Sequence, residues 1–367
     1  MQFAVVDPYL ERNIVSPKET ELKGKDMVEW GDRNAYPDYL RTLYMSCPTL
    51  KTVINGTVDF ITGDGMIFDA GKRFASGMNK RGDTIREQVH DIAHDYENYG
   101  GLALEVIRDF TGEVAEVYHC DFRYLRSNKE NTVFYYSEKW GKTGTKSTIV
   151  RPAFYPFTPE KWNALTPEER ERHAASILYV KNIRTQTYPA PVFGAAVEAC
   201  EIERGIADYH LNALENSFTS SMVLSFNGGV PTDQQKDEIV NAINEKFSGH
   251  QNAGRIFINF CAGKDNAPTF AEPRVMDFGA RYDALAKYAR QAVFTAFRAN
   301  PNLFGIPTEN NGFSAEEYES AFRLYNRTMV RPVQILITEA YERIFGIPGV
   351  LTIQPFSLNE GAEKNVQ

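Results

Sequence analysis

The stretch Asp277–Gly346 constrains this chain most: an amphipathic helix breaks into a Pro/Gly/Asn loop and restarts as a longer helix. Phe278, Tyr282, Leu285, Ala289, Ala292 and Ala296 recur at alternating steps of four and three, on one helical stripe, with Arg281, Lys287 and Arg290 off it. In the loop Asn300–Phe313, Pro301 and Pro307 oppose continued helix, while Gly305 and Gly312 tolerate positive φ. Ser314 with Glu317 reads as a capping box that opens the next helix. Tyr318, Phe322, Tyr325, Met329, Leu336 and Ala340 continue its stripe. Pro332 inside it predicts a kink, because the ring removes an i→i−4 bond and crowds the preceding turn. A long amphipathic hairpin tipped by such a loop suits machinery better than a catalytic centre.

At 367 residues the chain can bury a substantial core and has room for about two or three domains. Its net charge of −8 argues against a protein that clamps duplex DNA by neutralising phosphates, though not against one that surrounds DNA loosely. No apolar run approaches the roughly 18 residues of a membrane span, and the N-terminus lacks the basic-then-apolar pattern of a signal peptide, so no membrane partner is expected. Cys47, Cys120, Cys200 and Cys261 are scattered without a CxxC pair, as expected of reduced, buried thiols in a cytosolic product.

The first 30 or so residues read as a polar arm that orders only against a neighbour. Helices are predicted at Tyr39–Ser46, from Pro48 to the turn Gly63-Asp-Gly65, and at Asp83–Tyr99. After Gly100-Gly101 the period becomes two: Leu102–Arg108 and Glu113–His119 flank Asp109-Phe-Thr-Gly112 as a hairpin. Strands are predicted at Thr132–Tyr136, Ser147–Val150 and Ile177–Lys181, with a short charged helix at Thr166–Ala175. A long helix, Phe193–Phe218, carries a small-residue stripe of Ala195, Ala199, Ile202, Ile206, Tyr209 and Ala213, which permits close helix approach. Between Thr219 and Val275 lies an α+β insert: strand Met222–Phe226, helix Thr232–Phe247 and strand Arg255–Cys261.

No catalytic constellation assembles, and no catalytic, cofactor-binding or metal-ligating residue is assigned. His90 and His94 stand at i and i+4 beside Asp91 and Asp95, with His119-Cys120 as further candidate ligands. The HExxH order is absent, and solvated or core-edge histidines account for the pattern. There is no Gx4GK[ST] phosphate loop. Lys236, Lys246, His250, Arg255 and Lys264 form a loose basic set in the insert, read either as a DNA- or partner-facing patch or as solvated charge. Glu168-Glu169 and Glu316-Glu317 lie in first helical turns, where the helix dipole accounts for them.

From Phe193 onward the order of elements resembles the portal proteins of tailed bacteriophages, of the long-tailed-phage type. Val192-Phe193-Gly194 resembles the opening of their first stem helix, and Gly249-His-Gln-Asn-Ala-Gly254 a loop within their clip. Phe297-Arg-Ala-Asn-Pro-Asn-Leu-Phe-Gly305 is similar to the approach to a tunnel loop, and Arg331-Pro332 falls where such proteins carry a helix proline. Upstream, Asn34-Ala-Tyr-Pro-Asp-Tyr39 through Gly63-Asp-Gly65 resembles the entry to a wing. The resemblance implies an α+β portal fold with wing, stem helices, clip and tunnel loop, and little or no crown, since only a polar tail follows Phe356. It divides the chain into an arm (1–29), a wing of helices and β-hairpins (30–192), a first stem helix (193–218), a clip (219–275) and a second stem helix (276–299). A tunnel loop (300–313), a kinked long helix returning to the wing (314–356) and the polar tail (357–367) complete it.

The implied function is a ring of about twelve copies at one capsid vertex, the channel for double-stranded DNA during packaging and ejection. The implied partners are the major capsid protein and scaffold, the terminase large subunit, which hydrolyses ATP, and a head–tail adaptor. The implied location is the virion, after assembly in the host bacterial cytoplasm. Asn302, Thr308, Glu309, Asn310 and Asn311 become candidate channel residues, where mixed polar side chains touch DNA without gripping it. Ala195, Ala199, Ile202, Ile206, Leu285 and Ala289 become candidate stem-interface residues. Two rivals stand beside this reading: another connector or tail-assembly protein, and a metal-dependent enzyme built on His90 and His94.

Overall fold

A computed structural model describes residues 17–22, 26–140, 148–215, 222–226, 256–260, 278–306 and 314–357, with isolated positions between 232 and 238. The elements in chain order are β1 (Glu19–Glu21), β2 (Val28–Trp30), α1 (Tyr36–Ser46), α2 (Pro48–Thr62), β3 (Gly65–Phe68), α3 (Ile85–Tyr99), β4 (Gly101–Arg108) and β5 (Val114–His119). Then come β6 (Leu125–Ser127), β7 (Val133–Tyr136), β8 (Ile149–Pro152), α4 (Pro159–Asn163), α5 (Pro167–His173), β9 (Ala175–Lys181) and α6 (Val197–Glu215). The last are β10 (Met222–Phe226), β11 (Ile256–Phe260), α7 (Phe278–Ala296), α8 (Ala315–Tyr325), α9 (Arg331–Phe345) and β12 (Leu351–Gln354). They form two compact units, Met1–Cys200 with Arg290–Gln367, and Glu201–Ala289.

In the larger unit, α2 packs on α1, α3 and α9. Leu40, Leu43, Leu50, Val53, Ile54, Ile61, Val89 and Ile92 are fully buried, at the three- and four-residue spacings of the predicted helices. Proline opens α1, α2, α4 and α5 within the first turn, where its missing N–H costs nothing. Thr84 with Glu87 and Thr166 with Glu169 close capping boxes on α3 and α5. The strands form an antiparallel five-stranded sheet, β1-β2-β6-β7-β8, a three-stranded sheet, β5-β4-β9, and the pair β12-β3.

The expected N-terminal arm is corrected over its described part. Glu19–Glu21 pairs with Val28–Trp30 within the chain, and the Glu19 carboxylate accepts the N–H groups of Thr187 (3.2 Å) and Tyr188 (2.8 Å). Trp30 is the reason this segment is held. It stacks on Tyr188 with centroids 4.7 Å apart and meets Phe122 edge-on at 5.8 Å.

Beside it lies a fully buried guanidinium with no carboxylate partner among the described residues. Arg126 donates to Asn34 Oδ1 (2.8 Å) and to the carbonyls of Asn34 (2.9 Å), Arg123 (2.8 Å) and Leu125 (2.7 Å). Burial lowers its pKa to about 10. The fork bolts β6 to the tight turn at residues 31–35, where Asn34 has φ 63.

In the smaller unit β10 and β11 pair in parallel, Met222 opposite Ile256 through Phe226 opposite Phe260. Parallel strands require a crossover, which is the role expected of Thr232–Phe247. Most of that segment lies outside the described residues, although Thr232 N–H reaches Gln235 Oε1 at 3.1 Å.

The long C-terminal helix is interrupted rather than simply bent. Ser314 and Glu317 form the predicted capping box, and α8 then runs into a π-helical segment, Asn326–Val330, immediately before α9. Arg331 N–H bonds the Asn326 carbonyl five residues back. The widened turn takes up one extra residue just where Pro332 has no N–H to give and its ring would crowd the preceding turn. The predicted stripe is corrected in part downstream: Val330, Val333 and Ile337 are buried and Met329 and Leu336 only partly so, whereas Ala340 is buried as expected.

Candidate functional site

The site is the helical hairpin and the loop that follows it. α6 opens after Phe193 through the 3-10 turn Gly194–Ala196. Ala196, Val197 and Cys200 are buried and Ala195 is exposed, so the inward face starts one residue later than the stripe implies. Within the smaller unit α6 and α7 are joined by Tyr209 and Tyr282, stacked at 4.6 Å and 26°. Within the larger unit Phe193 stacks on Phe297 at 6.1 Å and 19°. Aromatic rings make these contacts; Tyr209 and Tyr282 lie on the stripes read from the sequence, and Phe193 and Phe297 lie in the motifs that carry the resemblance.

Of the candidate interface residues, Ala199 and Ala289 are enclosed by the chain itself and offer no surface to a neighbour. Ile202 and Ile206 are half-buried, Ala195 is exposed, and Leu285 is 43% exposed. Leu211 (58%) and Tyr288 (59%) are more exposed still and were missed, because neither falls on the four-and-three stripe.

The loop after α7 is anchored in its first half. Pro301–Phe304 forms a 3-10 turn, the Asn300 side chain accepts the Asn302 N–H at 3.1 Å, and Gly305 closes the turn with φ 73. Leu303 is buried. The Phe304 ring lies 6.0 Å from Phe60, 6.0 Å from Phe294 and 5.7 Å from Tyr325. Gly56 on α2 makes the seat: a Cβ there would stand 2.7 Å from Phe304 Cδ1. The dipeptide Asn300-Pro301, a cap residue followed by proline at the first helical position, was a legible signal for this turn. Gly56 was not, since nothing local marks it. Asn302 sits in the anchored turn. Thr308, Glu309, Asn310 and Asn311 lie outside the described residues, as do Lys236, Lys246, His250, Arg255 and Lys264.

The histidine cluster of the larger unit borders a cavity of about 530 Å³, lined among others by His90, Asp91, His94, Asp95 and His119. His119 Nε2 is 2.7 Å from Asp95 Oδ2, and Asp95 also accepts the Phe122 N–H at 3.0 Å. Burial opposes charge on His119, but the Asp95, Asp91 and Asp121 carboxylates prevail and raise its pKa to about 9. His94 lies edge-on to Tyr44 at 4.8 Å, and burial lowers its pKa. Among the described residues no three His, Cys, Asp or Glu side chains are placed to hold a metal ion. His90, His94 and His119 border this one cavity, with His119 Nε2 bonded to Asp95, whereas Cys120 is buried and lines a different one. Cys47, Cys120 and Cys200 are buried free thiols. No described helix is long and apolar enough to cross a membrane.

The family model described as phage portal protein matches residues 80–355, from the loop before α3 through both helices of the hairpin to β12. The chain belongs to the phage portal protein family. No curated protein matches it. Among solved structures, a chain in the neck of an empty gene transfer agent particle, computed with C6 symmetry, superposes with a TM-score of 0.53 at 17% identity, covering 88% of this chain and 84% of that one. A chain of the native particle's neck, computed with C12 symmetry, gives 0.50 at 17% identity, covering 90% and 86%. An HK97 family phage portal protein from Corynebacterium diphtheriae gives 0.50 at 14% identity, covering 86% and 93%. At such identities the likeness is one of fold, and the α+β portal fold expected from the order of elements is borne out. Within the family match lie the two long helices flanking a β-containing insert, the seated loop and the π-interrupted helix.

Proposed function

We propose that this portal-family chain closes into a ring at one vertex of a phage or prophage capsid, forming the channel for double-stranded DNA in packaging and ejection. The observation that carries the reading is the family match running without a break over helix, insert, helix, anchored loop and interrupted helix. A ring subunit needs apolar surface left open on its long helices. Leu211, Leu285 and Tyr288 supply it within the smaller unit. Twelve copies is the number we adopt, and the related neck computed with C12 symmetry supports it.

A channel must not bind what it conducts. A net charge of −8 is compatible with DNA sliding, because few phosphates are neutralised. Thr308, Glu309, Asn310 and Asn311 are the residues we assign to its narrow part; in the sequence they fall between the turn at Pro301–Phe304 and the Ser314 cap. The insert, with Lys236, Lys246, His250, Arg255 and Lys264, is assigned to the docking of terminase and then of a head–tail adaptor. The larger unit is assigned to contact with capsid protein and scaffold. Assembly in the host cytoplasm and residence in the virion follow. We read the chain as non-enzymatic, with ATP hydrolysis left to the terminase.

Negative-stain images of the purified protein, alone and coexpressed with scaffold and capsid protein, test the proposal. Rings with a central channel are expected. A particle that stays monomeric at high concentration in the presence of both partners would refute it.

A further inference from the structure

Among the described large apolar side chains the most exposed is Phe110, at 89%, on the tip of the β4–β5 hairpin. The tip itself is held rigidly. Asp109 Oδ1 accepts the N–H groups of Thr111 (2.9 Å) and Glu113 (3.2 Å), and Asp109 Oδ2 is paired with Arg73 at 2.9 Å. Trp162 Nε1 donates to the Phe110 carbonyl at 3.2 Å, and Arg108 donates to the Gly112 carbonyl at 2.7 Å. Gly112 has φ 90, and a Cβ there would collide with the Trp162 indole. A turn braced this way has already lost its conformational entropy, so the phenyl ring it presents is preorganised for contact.

Beside the tip opens a cavity of about 440 Å³ whose apolar wall includes Phe74, Phe157, Trp162, Phe345 and Ile347. Its charged lining is Arg73, Arg108, Arg343 and Glu113. Asp109 meets the charge of Arg73. Arg108 is only 7% exposed and has no carboxylate partner among the described residues. Its guanidinium faces the Phe154 and Phe157 rings at 5.1 and 5.7 Å and donates to the Tyr155 carbonyl at 2.9 Å, while its Nε has no hydrogen-bond partner. Arg343 is exposed and forms no ion pair among the described residues. Two guanidiniums without counter-charges thus stand against one carboxylate, in an aromatic groove next to a rigid phenylalanine.

We propose that the hairpin tip and this groove form a docking surface for a peptide segment of another protein, carrying Asp or Glu beside an apolar side chain. The carboxylate pairs with the exposed Arg343 guanidinium, and the buried charge of Arg108 behind it adds to the attraction. The apolar side chain covers Phe110 and enters the aromatic wall, as interface anchors do. A nucleic acid is the weaker fit, since its phosphates would leave Phe110 and the aromatic wall uncovered. The inference is independent of ring closure, because every residue it uses belongs to one unit of one chain.

Selection of a random dodecapeptide display library on the immobilised full-length protein tests it. Sequences pairing Asp or Glu with Phe, Leu, Ile or Trp should be enriched. A synthetic consensus peptide should bind Phe110→Ala and Arg343→Glu at least about tenfold more weakly than the parent protein. Both side chains are exposed, so both variants should keep the parent's thermal midpoint. Enrichment no greater than on an unrelated protein, a basic or wholly polar consensus, or equal affinity for the variants would overturn the proposal. So would displacement of the peptide by duplex DNA at physiological salt.

Discussion

Glu97 offers a quantitative test of how the larger unit is held together. It lies on α3 at 1% exposure, its Oε2 has no hydrogen-bond partner, and burial pushes its pKa up to about 8 from the ordinary 4.5. In the folded chain the carboxyl keeps its proton at neutral pH, whereas in the unfolded chain it has lost it. The folded-state pKa is the higher one, so stability is greatest below the unfolded value and declines as pH rises from about 4.5 toward 8. At pH 7 the gap from 4.5 is 2.5 units, which at about 1.36 kcal/mol each costs about 3 kcal/mol of stability relative to acid conditions. Glu97→Gln keeps the shape and removes the titration. Its stability should therefore change less across this range and exceed that of the parent at pH 8 by about 1–3 kcal/mol, after allowing for an imperfectly bonded amide. The assay is urea unfolding at pH 5.5 to 8.5, followed by tryptophan fluorescence. Trp30, Trp140 and Trp162 all belong to the larger unit, so the signal reports on it alone. His119, with its pKa raised to about 9, contributes a decline of the same sign between its unfolded value and pH 9. The difference between the two proteins is therefore the quantity to read. Identical pH dependence in both would refute the assignment of a protonated carboxyl to the core.

Gly56→Ala should destabilise the larger unit by about 1–3 kcal/mol, although alanine in a helix interior normally gains up to about 1 kcal/mol over glycine, because its methyl meets the Phe304 ring. The double variant with Phe304→Leu should recover part of that loss in the same urea assay. Arg126→Met should cost about 3–5 kcal/mol, since it removes four hydrogen bonds, leaving the Asn34 side chain with the Trp30 N–H alone and three carbonyls without their guanidinium donor, and Arg126→Lys should not rescue it because an ammonium lacks the planar fork. Deletion of Thr308–Gly312 should leave ring formation intact and impair DNA retention in packaging assays, because the Pro301–Phe304 turn and the Ser314 cap flank the excised segment. Failure to form rings after that deletion would instead make the loop an assembly element.

Much of the local structure was legible because local rules dictate it. Helix starts at Ser314, Thr166 and Pro48 follow from capping and from the missing proline N–H, whereas α1 begins at Tyr36, three residues before the expected Tyr39. The β4–β5 hairpin follows from period-two alternation around a glycine turn. What the sequence determined by itself was the order of elements, and that order was enough to place the chain in its family.

Only the tertiary structure decided which side of each helix faces inward, and to what. Past the π-helical segment at Asn326–Val330, Val330 and Ile337 face inward in place of Met329 and Leu336, a shift no periodicity count upstream of Pro332 could register. Gly56 and Arg126 owe their roles to partners far away in the chain, and Glu97 to a buried Oε2 without a hydrogen-bond partner among the described residues. A single sequence carries no trace of such pairings, because packing brings those residues together and residue type alone does not. The same holds for the site. Sequence placed the loop after the hairpin, but only the fold showed that its first half is bolted to α2 by Phe304. Phe110 is likewise exposed because the Trp162, Asp109 and Arg108 contacts hold the tip that carries it.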